Sequence, residues 1–469
     1  MKVLKFVLFI SLILINAHAK YTAFECSNLD KYLRYLKNSN KGVLEKHPKC
    51  NAAAIKKAYK NEANKKKWIE EIEGPYRAYF DHPSGVFRDC LGCISKAPFS
   101  KWPSQAERAK RDYVLVLSVD GGGVKGLIAA KILEHLEQKT GKRISDIFDI
   151  YVGTSTGGLI SLFLNTPTET GEPAYNATDL VAMYRNLAGT IFSHSNYFRK
   201  MRGMGGVLTS RYSAKPYEQI LKRYFKNVTL KQLLNPVAVT SVDIENQKPF
   251  IFNSIKAVKG KQENFFVWEA ARATSAAPTF FKPFKIRLRD GEVLTLADGG
   301  VGINNPSMLG ILMARELYPN AQILLVSFST RVSQSKTDFR TRGPLGGGSL
   351  SLNKKGANLE TLVGNLMDVP AENAENTTRE LLGREGSVYI RIQAEPQIKD
   401  IRMDDGSKKA LDALEAIAQD MIENDRELKH LRTILPSYIQ LKEKEKKIPG
   451  KKMGPQTLLK PSKKLSDRS

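Results

Sequence analysis

Ile147-Phe148-Asp149-Ile150-Tyr151-Val152-Gly153-Thr154-Ser155-Thr156-Gly157-Gly158-Leu159-Ile160 is the stretch on which the reading of this chain turns. Ile147 to Val152 reads as a strand buried on both faces, and the apolar run after Gly157 reads as a helix to about Leu164. Between them, Gly153-Thr154-Ser155-Thr156-Gly157 forms a Gly-x-Ser-x-Gly turn. Such a pentapeptide is unspecific by itself, but at a strand-to-helix turn it has the placement of a nucleophile elbow. Gly153 and Gly157 let the backbone reverse and leave space around the hydroxyl, so Ser155 projects at the positive end of the next helix. The competing reading is a tight turn without chemistry.

A serine hydroxyl is a weak nucleophile and needs a base, together with donors for the oxyanion that forms. The donors are expected upstream. Val114-Leu115-Val116-Leu117-Ser118-Val119 reads as another buried strand, followed by Asp120-Gly121-Gly122-Gly123-Val124-Lys125-Gly126. Three consecutive glycines expose backbone N–H groups without Cβ obstruction, which makes Gly121, Gly122 and Gly123 a candidate oxyanion hole. These residues also match the Gly-x-Gly-x-x-Gly dinucleotide fingerprint. That fingerprint requires an acidic residue after the second strand, where this chain has the serine turn instead, so a nucleotide site is the weaker reading.

Helical spacing from Leu127 to Leu136 ends at Gly141. Further strands are expected at 237–243, 250–253, 283–288, 293–297, 323–327 and 388–392. Helices are expected at 178–187, 215–225, 266–273, 307–317, 359–367 and 407–432. Strands separated by helices imply an α/β fold with a mostly parallel sheet covered on both faces. The Gly/Ser/Thr/Arg-rich stretch 329–358 reads as a long loop.

For the base, Asp298 is the best-placed residue. Val293 to Ala297 reads as a strand and Asp298-Gly299-Gly300 as the turn after it, which would put the carboxylate at the C-terminal edge of a parallel strand. A Ser–Asp pair works without histidine if the carboxylate accepts the hydroxyl proton, and desolvation raises its pKa toward useful values. The alternative for Asp298 is an ordinary Asp-Gly turn. The order Ser155, Asp298, His430 also fits an α/β-hydrolase triad, although His430 lies in a charged helical stretch. His135 falls in a helix, and His194 in an irregular segment, 191–204, whose mixed aromatic and basic residues suit a membrane-facing lid or a buried segment.

Asp120-Gly-Gly-Gly-x-x-Gly126, Gly153-Thr-Ser-Thr-Gly157, Ala270-Ala-Arg-Ala-Thr-Ser-Ala-Ala-Pro-Thr-Phe-Phe281 and Asp298-Gly-Gly-Val301 with Asn304-Asn305-Pro306, in this order, resemble the patatin-like phospholipase family. The resemblance covers about Val114 to Val326. It implies a three-layer α/β/α fold and hydrolysis of phospholipid acyl esters without a metal cofactor. It also implies Ser155 as nucleophile, Asp298 as its sole partner and Gly121 to Gly123 as the oxyanion hole. Lys125 stands where the family often has arginine. It keeps the charge but loses the planar fork, and is a candidate headgroup contact. A rival from another class is a lipid-binding or storage protein that keeps the fold without turnover.

The expected organisation is a signal peptide at 1–19 with cleavage after Ala19, and a helical cap at 20–105 holding Cys26, Cys50, Cys90 and Cys93. A catalytic domain at 106–395, helices at 396–440 and a basic flexible tail at 441–469 follow. The basic opening, the short apolar stretch 6–15 and Ala17-His18-Ala19 imply that the mature protein is exported, and four cysteines confined to one exported segment then suggest two disulfides. With 73 Lys and Arg against 48 Asp and Glu, the net charge of +25 favours anionic bilayer surfaces, with attraction that weakens as salt rises. Hydrophobic residues at 42% and charged residues at 26% exclude a mainly disordered chain, and no nucleic-acid-binding signature accompanies the basic charge. An unidentified protein activator is a further candidate partner.

Overall fold

Tyr113–Val119 (β1) is apolar at every position but Ser118, and a strand of this kind is stable only where both faces are covered. The computed structural model, which describes residues 97–99, 108, 111–191, 210–330, 359–394 and 401–447, places it in the interior of an eight-stranded sheet. All of these residues belong to one compact unit, Ser95–Ser469. The four cysteines, the expected signal peptide, His194 and the stretch 331–358 lie outside the described residues, as does the 191–204 segment beyond Ile191.

After β1 come Gly126–Thr140 (α1), the short Ile144–Ile147 (α2), Ile150–Thr154 (β2), Thr156–Leu164 (α3), Ala177–Ile191 (α4) and Ala214–Phe225 (α5). Val237–Asp243 (β3), Lys248–Asn253 (β4), Ser254–Val258 (α6), Val267–Thr274 (α7), Phe284–Arg287 (β5) and Val293–Asp298 (β6) follow. The rest comprises Ser307–Leu317 (α8), Gln322–Phe328 (β7), Leu359–Arg384 (α9), Val388–Ile392 (β8), Lys408–Asn424 (α10) and Arg426–Lys447 (α11).

The strand order is β5-β6-β3-β2-β1-β7-β8, with β4 also paired to β3. The pairings β1–β2, β1–β7, β2–β3 and β7–β8 are parallel, whereas β3–β4, β3–β6 and β5–β6 are antiparallel. This is the expected mostly parallel α/β architecture with an antiparallel margin. Side-chain alternation splits β1 between the two faces. Val114 and Val116 join Ile150, Val152, Ile311, Ala314 and Leu325 in one fully buried cluster beneath α8. Gly310 of α8 passes close enough that a Cβ there would stand 2.8 Å from a Val116 methyl. α3 packs elsewhere on the sheet, its Gly158 facing Thr274 of α7 and Val239 of β3.

Several boundaries differ from those the sequence suggests. The second strand begins at Ile150 because Ile144–Ile147 closes one helical turn. α9 runs through Pro370, which is exposed, to Arg384. The helix expected over 407–432 is two, broken where Asp425 turns extended and its carboxylate accepts from the Leu428 amide at 2.7 Å. α11 then reaches Lys447, so the stretch expected as a flexible tail from 441 starts as helix.

Candidate active site

β3 is the frame on which the two key side chains meet. β4 pairs with Ala238–Asp243 along one edge of β3, so the other edge is shared by two further strands. β2 occupies it up to Thr154, opposite Thr240, and β6 occupies the next position with Asp298 opposite Ser241. β6 runs antiparallel to β3, which corrects the parallel strand expected there. Its C-terminal end therefore faces the C-terminal end of β2, and residues 143 positions apart in the chain come together: Ser155 Oγ donates to Asp298 Oδ2 at 2.6 Å.

Ser155 has φ 51° and ψ −116°, a strained conformation for a residue with a Cβ. Its neighbours permit it. A Cβ on Gly157 would collide with the Val119 carbonyl, and one on Gly153 with the Gly157 carbonyl, so only glycine fits at either place. The turn is held by the Thr274 hydroxyl, which accepts from the Ser155 amide at 2.9 Å. Thr154 adds a hydrogen bond to the Ile303 carbonyl at 2.6 Å and one with Thr240 at 2.7 Å.

Asp298 is 2% exposed. Burial raises its pKa to about 7, against the opposing pull of hydrogen bonds from Ser155 and from the Gly300 amide, which donates to Oδ1 at 2.7 Å. A carboxylate poised near neutral pH beside a hydroxyl is suited to exchange a proton with it. The segment 270–281 braces both partners, because Thr274 holds the Ser155 amide and the Ala276 carbonyl accepts from the Asp298 amide at 3.0 Å. That segment is pinned in turn by the buried Arg272, whose guanidinium donates to Glu218 and to the Lys282 carbonyl and lies against Phe281 and Phe284.

The glycine loop leaves β1 next to Ser155. The point where a Cβ on Gly121 would start lies 2.6 Å from Asn304 Oδ1 and 3.2 Å from Ser155 Cβ. Gly121, expected as one of three oxyanion donors, is engaged elsewhere: its amide donates to the Asn304 carbonyl at 3.3 Å. Among the described residues the Gly122 and Gly123 amides have no protein acceptor, so these two are the available donors. Gly123 takes φ +60°, which a side chain would resist. Lys125 is half-buried at the N-cap of α1.

His430 is exposed on α11 and forms no hydrogen bond with Ser155 or Asp298, whose two oxygens are taken by the serine and by Gly300. His135, half-buried on α1, does not reach them either; burial, then Arg432 and Lys139, lower its pKa. No group of three His, Cys, Asp or Glu side chains among the described residues is arranged to hold a metal. No helix among them is long and apolar enough to cross a membrane. Sequence reasoning gave no role to Thr274, to the Asn304 carbonyl or to Arg391, which grips Asp120. Thr274 and Asn304 lie inside motifs that drew attention, whereas nothing local marks Arg391.

Residues 117–310 match the model of the family described as patatin-like phospholipase. Patatin-T5 of Solanum tuberosum is 35% identical over 218 residues, covering 44% of this chain and 54% of that protein. Probable inactive patatin-like protein 9 of Arabidopsis thaliana is 28% identical over 326 residues, covering 63% of this chain and 78% of its own length. Probable inactive patatin-3-Kuras 1 of Solanum tuberosum is 34% identical, covering 44% and 56%. The chain thus spans about half the length of the potato relatives it matches.

Proposed function

This chain belongs to the patatin-like phospholipase family, and on that premise we propose that it is a lipid acyl hydrolase of phospholipase A type, with Ser155 as nucleophile and Asp298 as its proton acceptor. The observation that carries the proposal is the 2.6 Å hydrogen bond from a strained elbow serine to a buried carboxylate whose pKa is about 7. Ser155 Oγ attacks the ester carbonyl as its proton passes to Asp298 Oδ2. The carbonyl oxygen, now an anion, is held by the Gly122 and Gly123 amides. Collapse breaks the ester C–O bond, and the leaving lysolipid alkoxide takes the proton from Asp298. A water then gives its proton to Asp298 and its oxygen to the acyl carbon, and return of the proton to Ser155 releases the fatty acid.

The expected substrate is membrane phospholipid. The net charge of +25 supports preference for anionic surfaces. Two relatives are named as probable inactive proteins, which supports a second reading, lipid binding without turnover. Mass spectrometry of phospholipid vesicles treated with wild type and with Ser155→Ala separates the two. Fatty acid and lysophospholipid are expected from wild type and neither from the variant. Intact lipid after both treatments would favour the binding reading, and equal release from both would remove Ser155 from the chemistry.

A further inference from the structure

We propose that Arg391, on β8 and beyond the region that matches the family model, is a positioning residue that sets the oxyanion-binding amides through Asp120; the inference rests on the acyl-hydrolase reading of the site. Arg391 and Asp120 are 7% and 3% exposed. The guanidinium grips the carboxylate with both terminal nitrogens, Nη1 to Oδ1 at 2.9 Å and Nη2 to Oδ2 at 2.5 Å. Nη1 also donates to Ser327 Oγ at 2.7 Å, and Nε faces Glu375 of α9 at 3.4 Å. The fork is thereby held by a hydrogen bond to β7, while Glu375 of α9 adds an ion pair at Nε without a hydrogen bond.

Asp120 is the residue at which β1 ends and the glycine loop begins. Its amide continues the sheet by donating to the Phe328 carbonyl at 3.0 Å. From there the loop's carbonyls are tied at Gly122, which accepts from the Lys125 amide at 3.3 Å, and at Gly123, which accepts from Gly126, so what the described residues leave without an acceptor is the two amides that matter for an oxyanion. Gly121 is tied through its amide to Asn304 and through its carbonyl to the Thr330 hydroxyl. Val124 donates to the Met403 carbonyl at 2.9 Å. Gly122 and Gly123 stand between these anchors, their amides without an acceptor among the described residues. Two glycines in a row have wide conformational freedom, so the direction of their N–H groups depends on how firmly the ends are held. A bidentate guanidinium–carboxylate pair fixes both the position and the plane of its partner, which a point charge does not. A hydrophobic pair of the same volume would fill the site as well, and buried ion pairs are a weak source of stability. A buried fork at the root of this loop is therefore better explained by geometry than by stability.

The test compares wild type, Arg391→Lys and Arg391→Gln. The lysine variant keeps the positive charge beside Asp120 and is expected to fold even if the glutamine variant does not. Turnover is measured on a soluble ester and normalised to the serine titrated by a fluorophosphonate. Hydrogen exchange by mass spectrometry follows the amides of 120–125 against those of 150–154. The expected result for Arg391→Lys is kcat lower by about 10- to 100-fold with KM within about twofold, less than the roughly 100- to 1000-fold cost of deleting an oxyanion donor, because the amides are misaligned and not removed. Exchange at 120–125 is expected to quicken while 150–154 stays protected. Unchanged kcat and exchange in the lysine variant would overturn the proposal. So would a loss of activity that only parallels faster exchange through the whole sheet, since that is what a purely structural pair predicts. A wild type without turnover would sink the hydrolase reading and leave exchange at 120–125 to decide on the clamp.

Discussion

Burial raises the Asp298 carboxyl from 3.8 to about 7, and this one residue links activity to stability. Between those two values the folded protein holds a proton that the unfolded chain has released. The contribution of Asp298 to stability therefore falls as pH rises from about 4 to 7 and stays low above that. The shift corresponds to about 4 kcal/mol at full deprotonation. Asp298→Asn is expected to be inactive yet more stable than wild type, with an advantage near zero at pH 4 that grows toward pH 8, read by urea unfolding across that range. Wild-type kcat/KM is expected to rise with pH through about 7, because only the ionised carboxylate accepts the serine proton. A flat advantage for the variant would show that the carboxyl titrates at an ordinary value.

At the scale of elements, the elbow depends on three backbones passing within van der Waals contact: the end of β1, the end of β2 and the first turn of α3. Gly157→Ala would drive a methyl into the Val119 and Asp120 carbonyls, backbone that cannot swing aside. Urea unfolding is expected to show a loss of about 1–3 kcal/mol, with activity lost as the glycine loop is displaced. An alanine variant with wild-type stability and turnover would mean that the approach is looser than described. These elements were largely legible in sequence, because buried strands and amphipathic helices carry period and composition. The helix through Pro370, the break at Asp425 and the hand of β6 were not. A proline and a charged residue signal locally, but the outcome depends on solvent exposure and on a partner strand.

Within the unit Ser95–Ser469, the last described helix packs back on the sheet. Lys442 on α11 crosses to the start of β2, donating to the Ile147 carbonyl at 2.9 Å and pairing with Asp149 Oδ1 at 2.9 Å. Asp149 also accepts from Arg111 and from the Leu115 amide. Burial pushes the Asp149 pKa up, but Lys442, Arg111 and the Leu115 amide outweigh it and hold it below the ordinary value. Lys442→Met is expected to cost about 2–4 kcal/mol at neutral pH in urea unfolding. The difference should shrink as pH falls through the depressed Asp149 pKa, because the lost partner then faces a neutral acid. An unchanged midpoint would show that α11 does not strap the sheet.

The amino-acid sequence by itself determined the α/β class, the elbow around Ser155 and the glycine loop. These rest on local facts: which residues tolerate a sharp turn, and which strands need cover on both faces. It also singled out Asp298, from a turn at a strand end and from motif resemblance. Only the tertiary structure decided how that carboxyl reaches the serine, since β2 and β6 meet end to end along one edge of β3, a pairing no local pattern encodes. It likewise decided that Gly121 spends its amide on Asn304 and that Arg391 grips Asp120 from 271 positions away. Hydrogen bonds over such separations are chosen by register and burial, and those exist only once the sheet has formed.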